Sequence, residues 1–416
     1  MKTIPGWVWI LGAAVVGIPW IFLRLSGTHP DHLTTTILSG LAIVSAAFLL
    51  SWVSEVAQLD IPRSLAFVIV ALVAILPEYA VDVYFAWKAG TDPVYVAYAT
   101  ANMTGANRLL LGLGWSLIVC LAAWKYRTRV VVLDRNLRVE IAFLTMAAIY
   151  AFTLPLKGTI HWVDTVILIL LFGGYAWVAF RAEVVEPEIV GPAETLAALP
   201  VPLRRASLIF LFLYAAAAIL LSSEPFAEGL VHVGQAMGVD EFLLVQWIAP
   251  LASETPEFLM ACVFVLRNHA IAAIGTLVSS KVNQWTLLVG ILPIAYSIGA
   301  GKLLPLPLDA RQVEEVFLTA AQTAFAVVLI ADLKITVWNA VALFGLFFIQ
   351  TIVPSTEVRL LIAWVYIAWA AIILIFFSKQ RAAFRAVFQE FPIWLGFRRR
   401  PPMKPFPAKQ EESADR

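Results

Sequence analysis

The chain has 416 residues, 61% hydrophobic and only 14% charged, with a mean hydropathy of +0.86 and a formal net charge of +1. Soluble domains carry about a quarter charged residues. A water-soluble globule is therefore excluded, and so is a soluble enzyme on a membrane anchor, because no hydrophilic stretch is long enough to fold as a domain.

In chain order, apolar runs bounded by charge, Pro and Gly predict spans near 6–25, 34–57, 62–89, 94–124, 138–155 and 161–181. After a polar loop they continue near 205–238, 240–267, 271–299, 312–331, 334–353 and 358–378. Each is long enough to cross a bilayer. The first lacks a small-residue cleavage site and reads as a retained span. Cys120 and Cys262 both fall inside apolar runs, so no disulfide framework is expected. A near-neutral chain offers no field for nucleic acid. Membrane lipid is an expected partner, and the sequence names no protein partner.

An even number of spans puts both termini on one side. Lys125, Arg127, Arg129, Arg135, Arg138, Arg204, Arg205 and Arg267 crowd that side, with many more basic residues in the tail. The other side holds Arg24, Lys88, Lys157, Lys302, Arg311 and Arg359. The bias places both termini in the cytoplasm of a multi-pass protein, expected in the plasma membrane. The stretch 182–204 contains Glu183, Glu186, Glu188 and Glu194 among prolines and reads as a cytoplasmic linker. In the tail, 381–416, Arg mixed with aromatics suits an anionic leaflet before a Pro- and charge-rich end.

The two sides of the linker repeat each other at polar positions. Pro77-Glu78 matches Pro256-Glu257, and Ser54-Glu55 matches Ser223-Glu224. Asn107 precedes Gly114 by the same interval as Asn283 precedes Gly290, which aligns Thr104 with Ser280 and Arg108 with Gln284. Each repeat takes five spans, 34–181 and 205–353, with one extra helix at each end, 1–33 and 354–380. An odd span count inverts the second copy. The expected fold is thus an all-α polytopic membrane protein of about 12 spans whose inverted repeats meet at a midplane site.

These elements resemble the sodium/calcium exchanger (cation/calcium antiporter) superfamily. The resemblance rests on LPE at 76–78, TPE at 255–257 and the polar element that follows each, and it covers roughly 35–300. It implies a secondary cation antiporter, exchanging calcium for sodium or protons, with Glu78 and Glu257 as ligands of the transported ion. It also sets Ser253 and Ser280 where the family has hydroxyl ligands. There are departures. VAILPE replaces a Gly-Thr-Ser element, and Arg108 and Gln284 stand where Asn or Asp is usual.

The residues themselves carry the same emphasis. Glu78, Asp82, Arg108, Glu254, Glu257 and Lys281 lie within predicted spans, where unpaired charges oppose insertion by roughly 15–20 kcal/mol together. They must face one another, water or an ion. Hard cations take oxygen ligands, and a proline just before each glutamate frees helix carbonyls beside it. Glu254, one turn from Glu257, is a second ligand, a proton relay or a partner for a base. Asp82 reads as structural or as lining a vestibule. Arg108 and Lys281 are either tethered cations filling a subsite or groups paired at a membrane mouth. Asn107 and Asn283 either line the site or pack helices, and each Ser is either a ligand or bonded back to its own helix. No cofactor is expected beyond the transported Ca2+, Na+ or H+. No His spacing suits zinc and no phosphate loop or nucleophile elbow is present, so catalysis is not expected. The competing reading is an exchanger fold that has lost transport, its site locked by salt bridges to Arg108 and Lys281.

Overall fold

The computed structural model describes residues 5–60, 76–181, 189–353 and 355–389. The described residues are mostly helical. In order come α1 (Gly6–Leu25), α2 (His32–Ala57), α3 (Leu76–Ala89), α4 (Tyr95–Tyr126), α5 (Arg138–Ala151) and α6 (Trp162–Arg181). Then come α7 (Pro192–Ala197), α8 (Val201–Met237), α9 (Glu241–Leu266), α10 (Ala270–Ala300), α11 (Ala310–Ile330), α12 (Val337–Ile352), α13 (Thr356–Phe376) and α14 (Ser378–Gln389).

Among the described residues ten helices are long and apolar enough to span, and α12 is a shorter apolar one. Of the predicted span 62–89, the part before residue 76 lies outside the described residues, as does the tail beyond 389. Two helices were not anticipated. The short α7 sits within the predicted linker, and α14 follows the last span.

Helix ends follow local chemistry. Asp309 with Gln312, and Thr336 with Asn339, form reciprocal capping boxes at the starts of α11 and α12. Gly238 and Gly301, at φ +65° and +66°, close α8 and α10 in the left-handed conformation that glycine adopts without penalty.

The two halves show their relationship in the packing. The equivalent helices α2 and α8 pack on each other, and α4 crosses α9 as α3 crosses the second half of α10. Two short antiparallel ladders repeat the pattern. Val130–Val132 pairs with Lys334–Thr336, and Thr159–Ile160 pairs with Leu306–Pro307. Under the repeat, the loop of each strand in the first ladder corresponds to that of a strand in the second, so the ladders are exchanged by the pseudo-twofold. α4 and α10 each contain a π-helical turn, Leu110–Trp115 and Gln284–Leu288, just after Asn107 and Asn283. A widened turn at equivalent places in two helices is a feature often found at functional sites.

Candidate functional site

Helices α3, α4, α9 and α10 meet around a set of polar side chains, buried except for half-buried Glu257 and Ser280. From α3 come Glu78 and Asp82, one turn apart and both buried. From α9 come Ser253, Glu254 and Glu257, and Pro256 inside this helix offers no N–H to the Ala252 carbonyl. From α10 come Ser280, Lys281, Asn283 and Gln284, and from α4 Asn107 and Arg108. Sequence reasoning had singled out all of these, and the fold brings most of them together.

Gln284 is the hinge of the acidic group. Its Nε2 donates to Glu254 Oε1 at 2.8 Å, and Glu78 lies against the same amide. Glu257, on the next turn of α9, contacts Ser280 and lies within electrostatic reach of Glu78. Carboxylates from the two inverted copies therefore face a common space. Asp82 lies alongside Asn102. Several polar atoms here are buried without a hydrogen-bond partner among the described residues: Glu78 Oε1, Glu254 Oε2, Glu257 Oε2, Gln284 Oε1 and Asn283 Nδ2. Leaving such groups unsatisfied is costly, and oxygens of this kind fit a hard cation or a proton. The carboxylates are not drawn into a closed cage, since no cluster of three or more Asp, Glu, His or Cys is poised to hold a metal among the described residues.

The two buried bases behave differently. Lys281 Nζ donates to both the backbone oxygen and Oδ1 of Asn107, at 2.5 and 2.6 Å, and senses Glu254 and Glu78 electrostatically. It thus ties α10 to α4 beside the acidic group. Arg108 turns to α11 instead, with Nη2 2.5 Å from Glu315 Oε2 and its guanidinium 5.1 Å from the Trp247 ring. The sequence had placed Arg108 among the site carboxylates or at a membrane mouth. It is 1% exposed and paired to a glutamate that sequence reasoning missed. Glu315 was overlooked because it stands near the start of an apolar run, where a carboxylate is ordinarily hydrated. Neither base forms an ion pair with Glu78, Glu254 or Glu257 among the described residues, so the salt-bridge lock is not what this chain builds.

The remaining candidates fall into place by local bonding. Ser253 Oγ lies 3.3 Å from both the Ala249 and Pro250 carbonyls, bonded back to its own helix. Asn283 Oδ1 accepts from the Tyr79 hydroxyl at 2.9 Å, which joins α10 to α3. Asn107 Nδ2 donates to Met103 O at 2.9 Å, leaving its oxygen for Lys281. Glu224 pairs with Arg24 at 3.0 Å on the surface, away from this cluster.

The comparisons with known proteins agree with this arrangement. The model of the sodium/calcium exchanger protein family matches residues 32–181 and 207–355. No curated protein sequence matches the chain. Among solved structures, a crystal structure of the H+/Ca2+ exchanger CAX is 48% identical with a TM-score of 0.90, covering 94% of this chain and 99% of that one. Native YfkE is 16% identical with a TM-score of 0.59, covering 83% and 98%. The sodium-calcium exchanger NCX_Mj is 17% identical with a TM-score of 0.50, covering 77% and 97%. The last two likenesses are of fold alone. With two matched segments spanning most of its length and Pro-Glu elements at corresponding places in both, the chain belongs to the sodium/calcium exchanger family of multi-pass membrane proteins.

Proposed function

We propose that this protein is a secondary active antiporter that moves calcium against protons by alternating access at the carboxylate group of α3 and α9. One observation carries the reading: buried Glu78 and Glu254 and half-buried Glu257, contributed by both inverted copies, each enclose a carboxylate oxygen that no protein donor satisfies among the described residues. Calcium takes six to eight oxygen ligands and tolerates irregular geometry, which suits carboxylates on separate helices. The same carboxylates take up protons when the ion leaves, because an uncompensated charge at this depth is expensive. Competition for one set of oxygens then couples the two fluxes. Glu78 and Glu257 are the central ligands, and Glu254, held by Gln284, is the third. Ser280 and the oxygens of Asn283 and Asn107 form the surround.

Protons are favoured over sodium as the counter-ion because Lys281 Nζ already stands beside Glu78 and Glu254, where a further metal ion would have to be held. A proton needs no ligand cage, whereas each sodium ion does. The likeness to a structure described as an H+/Ca2+ exchanger supports the same choice. In this reading the repeats 34–181 and 205–353 are the two working halves, and the basic loops keep both termini in the cytoplasm of a cell-membrane protein.

The test is tracer calcium uptake into liposomes holding the full chain, driven by a pH gradient or by a sodium gradient. The pH gradient should drive uptake, and Glu78→Gln or Glu257→Gln should each reduce it to the protein-free background. Uptake that follows only the sodium gradient would overturn the proton assignment. Uptake undiminished in both variants would overturn the site.

A further inference from the structure

Beside the acidic group lies a second buried set of charges. Arg108 of α4 meets Glu315 of α11 at 2.5 Å, and Arg359 Nε of α13 lies 3.6 Å from the other oxygen of Glu315. Arg359 Nη2 in turn lies 3.1 Å from Glu314 Oε2. Arg108, Glu315 and Arg359 are all at or below 5% exposed. The set holds two cations and two anions and is neutral as a whole. Buried ion pairs are no better for stability than well-packed apolar side chains, so stability alone does not call for four charges here.

The order of the charges is informative. Arg108 is the member nearest the acidic group. It adjoins Asn107, which holds Lys281, and Lys281 feels both Arg108 and the carboxylates Glu78 and Glu254. Glu315, Arg359 and Glu314 follow away from the site on α11 and α13. The groups facing Arg108 are Glu315 from α11, Arg359 and the Tyr366 hydroxyl from α13, Lys281 from α10 and the Trp247 ring from α9. Thr104 O and Gln322 Nε2 fix the same turn of α4, the first accepting from Arg108 Nε at 3.4 Å and the second donating to Arg108 O at 3.5 Å. The guanidinium is thus a permanent positive charge at a fixed place in a poorly screened interior.

We propose that Arg108 and Glu315 are positioning residues that set the site's affinity for cations from outside it, acting as a buried dipole whose positive end lies on the side of Lys281, the residue that stands between it and the carboxylates. The inference rests on the carboxylate group being a cation site. It assigns neither residue as a ligand. Removing the positive end should tighten cation binding, and removing the negative partner should weaken it. Removing both should restore it, with Arg359 left to Glu314.

The experiment is a calcium titration of the purified full chain, read by thermal shift in detergent and by tracer uptake in liposomes. Arg108→Gln should raise the apparent calcium affinity roughly five- to tenfold, Glu315→Gln should lower it by a similar factor, and the double variant should return to within about twofold of the wild type. The charge-keeping variants Arg108→Lys and Glu315→Asp should stay close to the wild type. A purely structural pair would give two losses and no recovery. The inference is overturned if both neutral variants move affinity in one direction or if the double variant is no nearer the wild type than the singles. If Glu315→Gln does not fold, Arg108→Gln must still bind calcium more tightly than the double variant. A wild type that neither binds nor carries calcium would instead defeat the proposed function.

Discussion

Lys281 is the residue at which chemistry and architecture are hardest to separate. Its ammonium is completely buried and hydrogen-bonded to Asn107, yet its electrostatic partners are the site glutamates. If it holds the place of a monovalent cation, external sodium should leave calcium uptake by the wild type nearly unchanged and inhibit it in Lys281→Gln. Inhibition curves in liposomes check this, and unchanged sodium sensitivity would remove Lys281 from that role. The sequence displayed Lys281, Glu78, Glu254 and Glu257 because ionisable residues are conspicuous within apolar runs. It could not display which base meets which acid. Arg108 and Glu315 are distant in the chain, and their meeting depends on how α4 and α11 pack. Nor could spacing settle Ser253, whose hydroxyl is spent on its own helix.

At the scale of elements, the helices that carry the site cross with almost no space between backbones. A Cβ added at Gly105 of α4 would lie 1.8 Å from Gln246 O of α9, and one at Gly299 of α10 would lie 1.8 Å from Trp87 O of α3. The two contacts join repeat-related pairs of helices at different levels along them, and small residues permit such approach in membranes. Gly105→Ala and Gly299→Ala should each destabilise the protein by about 1–3 kcal/mol through overpacking, seen as a lower melting temperature in detergent, whereas Gly12→Ala on the open face of α1 should not. Outside the spans, Asp60 after α2 accepts from Arg204 Nε at 2.6 Å and Nη2 at 2.9 Å. Those hydrogen bonds hold its carboxyl below the usual range. A lowered value in the folded state means the pair stabilises fully above pH of about 4 and loses that effect as pH falls further. Asp60→Asn should therefore lower the melting temperature at neutral pH and converge on the wild type in acid. Ten of the spans were legible from hydropathy alone, but α14 was read only as a basic tail. It packs on α5 and α13, and Gln380 donates to the Val328 and Leu329 carbonyls near the end of α11.

For the whole molecule, the internal repeat was the most informative feature of the sequence. Matched Pro-Glu and Asn positions implied two inverted copies, and exchanged strand ladders, matching π-helical turns and paired helix crossings show them in the fold. What the repeat could not convey is asymmetry. Arg108 answers Gln284 and Lys281 has no basic counterpart, so one copy is braced against α11 and α13 while the other completes the acidic group. The account's central claim is that carboxylates of opposite copies share one transported cation. The most direct measurement is an experimental structure of the full chain with calcium, phased to locate the metal. The account predicts an ion between the carboxylates of Glu78 and Glu257, absent in Glu257→Gln. An ion held elsewhere, with these two carboxylates apart and unliganded, would contradict it.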